Sequence, residues 1–153
     1  MITVYTDGSA HPNPGPGGFG MVTVSDFGLE AAYSKQTDNT TNNREEIKAI
    51  LRAMIDYGKM KDVVTVYSDS SYAVNTLTSW MFGWARNGWI KSDKKTPENL
   101  DLIQAYYELY QKGYRIDLRK IKGHAGHEWN ELADKLATGA ITAEEAIKKY
   151  NGK

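Results

Sequence analysis

The sequence reads TVYTDGS at residues 3–9 and returns to nearly the same heptapeptide, TVYSDSS, at residues 65–71. Each copy is rich in β-branched and aromatic residues, which is typical of a β-strand. The likeness does not extend further along the chain, so it does not indicate a repeated domain. It predicts two similar strands that carry Asp7 and Asp69 at their carboxyl ends.

Strand geometry gives the two aspartates equivalent positions. Alternate residues of a strand share a face, so Asp7 points the same way as Tyr5, and Asp69 the same way as Tyr67. The carboxyl ends of strands are where α/β sheets tend to bind ligands. If the two strands are parallel neighbours, the carboxylates lie close together and repel unless a cation lies between them. The alternative is that both aspartates are turn or helix-cap residues, because Asp-Gly and Asp-Ser are common there.

The periodicity of the whole chain predicts a mixed α/β protein. Strands come first and then alternate with helices, an order that implies a mixed sheet covered by helices. Residues 8–18 contain three of the four prolines and are expected to be irregular. No linker is long enough to divide the chain, so one domain is expected over residues 1–153. The predicted strands are 1–6, 19–24, 30–35, 63–68 and 115–121, and the predicted helices are 43–58, 70–80, 98–111, 128–138 and one that opens with a capping box at Thr142.

The composition is that of an ordinary globular protein, with 41% hydrophobic and 25% charged residues and no cysteine. Neither disulfides nor thiolate metal sites can therefore form. No apolar run reaches membrane-spanning length and no secretion signal is evident, so a cytoplasmic location is expected. The net charge is zero, whereas nucleic-acid-binding domains are usually basic. Two stretches, residues 80–96 and 112–122, are nevertheless basic.

The first predicted helix carries adjacent acids, Glu45 and Glu46, and helical geometry distinguishes them. With about 100° between successive residues, the apolar face is centred between Ile47 and Leu51. Glu46 then lies about 110° from that centre, at the margin of the buried face, and Glu45 about 150° away, in solvent. Glu45 also follows Asn42 by three residues, which suits a capping box. Glu46 is therefore the better functional candidate, and the alternative is an ordinary solvated acid.

The stretch KGHAGHEWNELADKLA at residues 122–137 combines a glycine-flanked loop with a helix. The loop presents His124 and His127, and the helix holds Asp134 among apolar residues. The two histidines could be zinc ligands, but their spacing and the lack of cysteine make a weak zinc motif. A cluster of carboxylate oxygens suits Mg²⁺ or Mn²⁺ better. A lone loop histidine is also commonly a surface residue.

Taken in order, the motifs YTDGS, NPGPGG, TTNNREE, YSDSSY, DKK and KGHAGHEWNELAD resemble type 1 ribonuclease H, the bacterial ribonuclease HI group. The ordered set is specific and covers the chain from Ile2 to Gly139. The resemblance implies a ribonuclease H-like fold: a five-stranded mixed sheet, three antiparallel strands and then β-α-β, flanked by helices. In that fold the first and fourth strands are parallel neighbours. It also implies a basic handle at about 80–96, an extra C-terminal helix at about 142–150, and no N-terminal hybrid-binding module.

The resemblance assigns roles to the acidic residues and to one histidine. The positions that match the four catalytic, metal-binding carboxylates of the family are Asp7, Glu46, Asp69 and Asp134. His124 matches the active-site histidine, which is expected to assist proton transfer or product release. The carboxylates are expected to hold two Mg²⁺ ions, with Mn²⁺ as the alternative.

The resemblance also implies a nucleic-acid surface that reads both strands of an RNA/DNA hybrid. The matching positions are Asn13, Thr41, Asn42, Asn43 and Ser71, with Trp84, Arg86, Lys94 and Lys95 in the handle. Ser71 replaces a longer amide of the bacterial enzymes, a departure that affects one hydrogen bond to RNA and not the chemistry. Trp80 is expected to be mainly a core residue, and Trp84 and Trp89 to be partly exposed.

The activity implied is hydrolysis of the RNA strand of a hybrid by in-line attack of water, leaving a 5′-phosphate and a 3′-hydroxyl. One alternative is a module of the same fold that binds hybrids without cutting them. Others are an integrase or transposase nuclease core and a domain cut from a reverse transcriptase. The four filled carboxylate positions, the KGHAGH loop and the handle favour a free-standing ribonuclease. A monomer is expected because nothing in the sequence marks an oligomer interface.

Overall fold

Five strands form one mixed sheet in the computed structural model, which describes residues 1–122 and 127–151. The strand order is β3-β2-β1-β4-β5. The β1–β2 and β2–β3 pairs are antiparallel, and the β1–β4 and β4–β5 pairs are parallel, so the expected mixed sheet is confirmed. The strands are β1 (Thr3–Ala10), β2 (Gly15–Ser25), β3 (Gly28–Thr40), β4 (Val64–Ser68) and β5 (Ile116–Lys120).

The first three strands are longer than local sequence predicts. Irregular structure was expected over residues 8–18, but β1 continues to Ala10 and β2 begins at Gly15, so only residues 11–14 lie outside strands. The prediction is wrong because residues of the glycine-rich segment join the antiparallel ladder, in which Ala10 pairs with Gly17. Ladder hydrogen bonds made with a neighbouring strand here outweigh the low strand propensity of glycine and proline.

The predicted helices are present, but the one expected over residues 70–80 is a short α-helix and a π-helical turn, and a further helix, Met81–Arg86, was not predicted. They are α1 (Asn42–Tyr57), α2 (Ser71–Asn75), a π-helical turn (Thr76–Trp80), α3 (Met81–Arg86), α4 (Leu100–Gln111), α5 (Glu128–Thr138) and α6 (Ala143–Asn151). The capping box of α6 is confirmed, because Glu145 N–H donates to Thr142 Oγ1 (3.1 Å) and Thr142 N–H to Glu145 Oε1 (2.9 Å). Helix α1 is capped by Thr41, whose Oγ1 accepts from Arg44 N–H (3.1 Å), and not by the predicted Asn42–Glu45 box.

Helices cover both faces of the sheet because β1 alternates between two apolar layers. Val4 is buried in the layer that contains Ile47 and Ile50 of α1. Tyr5 faces the opposite layer, which contains Leu136 of α5, and its ring stacks on that of Tyr67 at 5.4 Å. Among the described helices, none is long and apolar enough to cross a membrane.

Trp80 lies on the surface, so the expectation that it is mainly a core residue is wrong. Its exposed fraction is 46%, whereas Trp84 and Trp89 are half-buried against the core, as expected of the outer two tryptophans. Met81 N–H reaches back five residues to Thr76 O in the π turn. This wider turn carries Trp80 further round the helix from the buried Leu77 than an α-helical turn would.

Candidate active site

The two aspartates of the repeated heptapeptide are brought together by the β1–β4 pair. The parallel register aligns Tyr5 with Tyr67 and ends at Thr6 and Ser68, so Asp7 and Asp69 are the next residues of each strand. Neither aspartate is a turn or cap residue: Asp7 lies within β1, and Ser70 caps α2 by accepting from Ala73 N–H. Although β1 itself continues to Ala10, both carboxylates lie at the carboxyl end of this parallel ladder.

Glu46 reaches the aspartates because Gly8 lets helix α1 lie directly on β1. A Cβ atom added at Gly8 would overlap the backbone of Glu45 and Glu46, so only glycine permits this approach. The Gly8 N–H donates to Glu46 Oε1 and also to Asp7 Oδ1 (2.9 Å). One backbone amide thus orients two carboxylates.

Asp134 is supplied from the other side of the sheet by helix α5. Asp7 pairs across the ladder with Gly20, and a Cβ atom at Gly20 would overlap Ala133 O of α5. The residue after Ala133 is Asp134, which is exposed and whose carboxyl contacts that of Asp7. Two glycines therefore admit the two helices that complete the group of acids.

The carboxylates form a compact cluster. Ligand oxygens of Asp7, Glu46 and Asp69 all lie within 4.8 Å of one another, and Asp134 adjoins the cluster through Asp7. Burial, together with the negative charges of Asp69 and Asp134, raises the pKa of the Asp7 carboxyl from 3.8 to about 8. Burial and then the charge of Asp7 likewise raise the pKa of Glu46. The cluster is thus short of positive charge.

The donor set fits a hard divalent cation. All the converging ligands are carboxylate oxygens, which suit Mg²⁺ or Mn²⁺. Burial and the neighbouring negative charges raise the pKa values of Asp7 and Glu46, as expected for a group of like charges without a cation. A bound cation would supply that charge and stabilise the ionised carboxylates.

Glu45 is buried, so the prediction that it faces solvent is wrong. Its exposed fraction is 0%, and its Oε2 accepts from Thr40 Oγ1 (2.7 Å) and pairs with Lys48 Nζ (2.9 Å). The apolar arc of α1 did not reveal this, because the first turn is covered by Gly8 of β1 and by the end of β3. The i, i+3 spacing of Glu45 and Lys48 was the one local signal of the pair.

The family model described as RNase H matches residues 1–142. The chain belongs to the ribonuclease H family. It is 41% identical over 142 residues to a ribonuclease H of Thermoanaerobacter sp. (strain X514), a match that covers 92% of this chain and 90% of the relative. Members of this family are endonucleases, and the chain is an enzyme of that hydrolase class.

Solved ribonuclease H structures share the fold. LC9-RNase H1, described as a type 1 RNase H with the type 2 active-site motif, superposes with a TM-score of 0.75 at 29% identity, covering 92% of this chain and 73% of that one. LC11-RNase H1 in complex with an RNA/DNA hybrid superposes with a TM-score of 0.68 at 26% identity, covering 96% and 99%. The family and these neighbours identify the chain as a type 1 ribonuclease H.

In this ribonuclease H the polar residues expected to contact nucleic acid gather at the amino end of α1. Asn42 Oδ1 accepts from Ala10 N–H (2.6 Å), and Asn42 N–H donates to Asn13 Oδ1 (3.1 Å). Thr41 caps the helix, and Asn43 is exposed on its first turn. Ser71 is exposed at the start of α2, directly after the Asp69 loop. Four of these residues thus lie at or beside the amino end of α1, and Ser71 lies two residues after Asp69.

The predicted handle of this ribonuclease H begins within the π turn and continues through α3 into an exposed loop. Trp84 packs against the core, while Arg86, Lys94 and Lys95 are exposed. Lys91 N–H donates to Lys95 O (2.9 Å), which closes the loop, and Lys94 has a positive φ of 70°. The loop therefore presents cations on a folded turn.

Of the two histidines, only His127 lies in the described part of the chain; His124 lies outside the described residues. His127 precedes α5 as its N-cap, is exposed, and lies 6.1 Å from the Tyr5 ring between centroids. In residues 1–122 and 127–151, the one group of side chains that could hold a metal is the acidic cluster. Because His124 lies outside the described residues, the alternative of a zinc site at the two histidines stays a prediction.

Proposed function

We propose that this ribonuclease H cleaves the RNA strand of RNA/DNA hybrids by in-line attack of water, leaving a 5′-phosphate and a 3′-hydroxyl. The observation that carries the proposal is the cluster of Asp7, Glu46 and Asp69 oxygens within 4.8 Å at the carboxyl end of a parallel ladder. A solved relative of 26% identity is bound to an RNA/DNA hybrid, which supports the same substrate class here.

Asp7, Glu46, Asp69 and Asp134 would hold two Mg²⁺ ions, with Mn²⁺ as the alternative. When bound, the cations would activate the attacking water and stabilise the departing 3′ oxygen. Asp7 contacts both Glu46 and Asp134, so it is the central ligand of the set. The Gly8 amide holds the Glu46 carboxylate against that of Asp7, which keeps both oriented toward the same point.

Asp7 and Glu46 must be ionised to bind cations. Burial favours their protonated forms in the free protein, so cation binding should release protons. Activity is then expected to rise with pH over the range in which Asp7 loses its proton. His124 would assist proton transfer or product release.

Recognition of the hybrid would use both strands. The polar group of Asn13, Asn42 and Ser71 would identify RNA through its 2′-hydroxyls. Thr41 and Asn43, at the amino end of α1, would bind phosphates of the DNA strand, as backbone amides and small polar side chains do elsewhere. The exposed cations of the handle, Arg86, Lys94 and Lys95, would add affinity that falls as salt concentration rises.

A cleavage assay with the RNA strand end-labelled tests the proposal. Hybrid, duplex RNA, single-stranded RNA and duplex DNA are each offered with Mg²⁺, Mn²⁺ or EDTA. Cutting of the hybrid alone, lost in EDTA and in Asp7→Asn, is expected. Asp101→Asn, which breaks an exposed ion pair with Arg44 outside the acidic cluster, is the matched control and should still cut. Binding of hybrid without cutting in either metal would refute the proposal and favour a hybrid-binding module.

A further inference from the structure

Glu45 is a buried acid that the proposed chemistry does not use. We propose that Glu45 is a positioning residue, which clamps the last residue of β3 to the first turn of α1 and thereby holds Glu46 in the carboxylate cluster. The inference deepens the proposed function and rests on it for its metal-binding consequence. Its structural consequence, at the Gly8 amide, does not depend on catalysis.

The clamp is a network of four side chains joined by two hydrogen bonds and one ion pair. Glu45 Oε2 accepts from Thr40 Oγ1 at 2.7 Å and pairs with Lys48 Nζ at 2.9 Å. Lys48 Nζ in turn donates to Thr37 Oγ1 at 3.2 Å. Two residues of β3, Thr37 and Thr40, are thus tied to two residues of α1. These contacts bridge the corner at which the strand turns into the helix.

Stability alone is a poor explanation for this ion pair. The Glu45 side chain is fully buried, and within the described residues its Oε1 atom has no hydrogen-bond partner. Taking a carboxylate out of water is costly, and a buried pair is often matched in stability by apolar residues of similar volume. What the charged pair provides is direction, because its hydrogen bonds define one relative placement of β3 and α1.

That placement determines where Glu46 lies. The backbone of Glu45 and Glu46 rests on Gly8 so closely that a Cβ atom there would overlap it. A small displacement of this turn would therefore lift Glu46 Oε1 from the Gly8 amide that holds it. The same turn carries Asn42, whose Oδ1 accepts from Ala10 N–H at 2.6 Å. Hydrogen exchange of the Gly8 and Ala10 amides therefore reports whether the first turn of α1 stays in contact with β1.

Hydrogen exchange of backbone amides, measured by NMR without metal, tests the clamp. In Glu45→Gln, which keeps the side-chain shape but removes the charge, the Gly8 and Ala10 amides should exchange about tenfold faster than in the wild type, since charged hydrogen bonds are the stronger ones. The buried Val66 amide of β4 should change less. An equal acceleration at all three positions would mean loss of global stability only, and would overturn the proposal.

Titration with Mg²⁺ by calorimetry, below the unfolding temperature, measures the functional consequence. Glu45→Gln should bind Mg²⁺ several-fold more weakly, because Glu46 is no longer held beside Asp7. The matched control is Asp56→Asn, which breaks the ion pair of Asp56 with Arg52 (3.0 Å) at the other end of α1 and should leave Mg²⁺ binding unchanged. Unchanged binding in Glu45→Gln would overturn the proposal.

Thr40→Val covers the case in which Glu45→Gln fails to fold. This nearly isosteric change removes one hydroxyl and leaves both charges in place, so the Gly8 amide should still exchange faster than in the wild type. If it does not, Glu45 does not act through the β3 corner. Should the wild type neither bind Mg²⁺ nor cut hybrid, the proposed function fails, whereas the exchange rates still decide the role of Glu45.

Discussion

Replacing Asp7 by asparagine should stabilise the metal-free protein at pH 8 more than at pH 5. Asp7 is 8% exposed, and its burial beside other carboxyls raises its pKa from 3.8 to about 8. An acid whose pKa is higher in the folded than in the unfolded state takes up a proton on folding. Its contribution to stability is complete below the unfolded value and is lost as the pH rises through about 8. The substitution removes the group that causes this loss.

The magnitude follows from the number of pH units over which the folded state retains the extra proton. While the folded state holds one proton more than the unfolded state, each unit of rising pH lowers the free energy of unfolding by about 1.4 kcal/mol. Between pH 5 and pH 8 the loss is up to about 4 kcal/mol. The pKa of Glu46 is also raised by its contact with Asp7, so the substitution relieves Glu46 as well. We therefore expect the free energy of unfolding of Asp7→Asn, compared with that of the wild type, to be about 2–4 kcal/mol higher at pH 8 than at pH 5. This corresponds to about 5–10 °C in Tm.

Urea unfolding followed by circular dichroism, in EDTA at several pH values from 5 to 8, measures this difference. Asp101→Asn is the control, because hydrogen bonding to Arg44 lowers the pKa of Asp101 instead of raising it. Its effect on the free energy of unfolding should therefore not change between pH 5 and pH 8. Asp101 is already ionised throughout this range, so its exposed pair should cost about 0–1 kcal/mol equally at both ends. Parallel stability curves for Asp7→Asn and the wild type would refute the reasoning. Saturating Mg²⁺ should flatten the wild-type curve.

Three further predictions concern other parts of the molecule. Gly8→Ala should destabilise the protein by about 1–3 kcal/mol and abolish hybrid cleavage even while the variant stays folded, because a Cβ atom there overlaps the α1 backbone. Thermal unfolding measures the first effect and the cleavage assay the second. Normal activity of the variant would contradict the prediction. Replacing Lys94 and Lys95 by alanine should raise KM more than it lowers kcat and reduce the salt dependence of KM, since both side chains are exposed in the handle; an unchanged KM at physiological salt would remove the handle from substrate binding. Thr142→Ala should lower stability by about 1 kcal/mol, because it removes the α6 cap, whereas Thr142→Ser should retain it; equal melting temperatures for both variants would show that the cap does not matter.

Much of the site could be predicted from local patterns. The alternation of β1 and β4 and the shared heptapeptide placed Asp7 and Asp69 on matching positions, because strand periodicity depends only on covalent geometry. The 3.6-residue period of α1 favoured Glu46 over Glu45 as the functional acid, and the structure places Glu46 in the cluster. The adjacency of β1 and β4 came from the family resemblance, since no local pattern specifies which strands pair.

What the sequence by itself determined, then, is the order of the main strands and helices and the matching positions of Asp7 and Asp69 on two of the strands. The tertiary structure alone decided which surfaces are covered. Glu45 was expected in solvent and is buried because β1 and the end of β3 close over the first turn of α1. Trp80 was expected in the core and is exposed because one π turn rotates it outward. The approach of Asp134 to Asp7 depends on Gly20, which precedes Asp134 by more than a hundred positions. Periodicity reports the shape of one element, whereas burial depends on elements distant in sequence that pack against it.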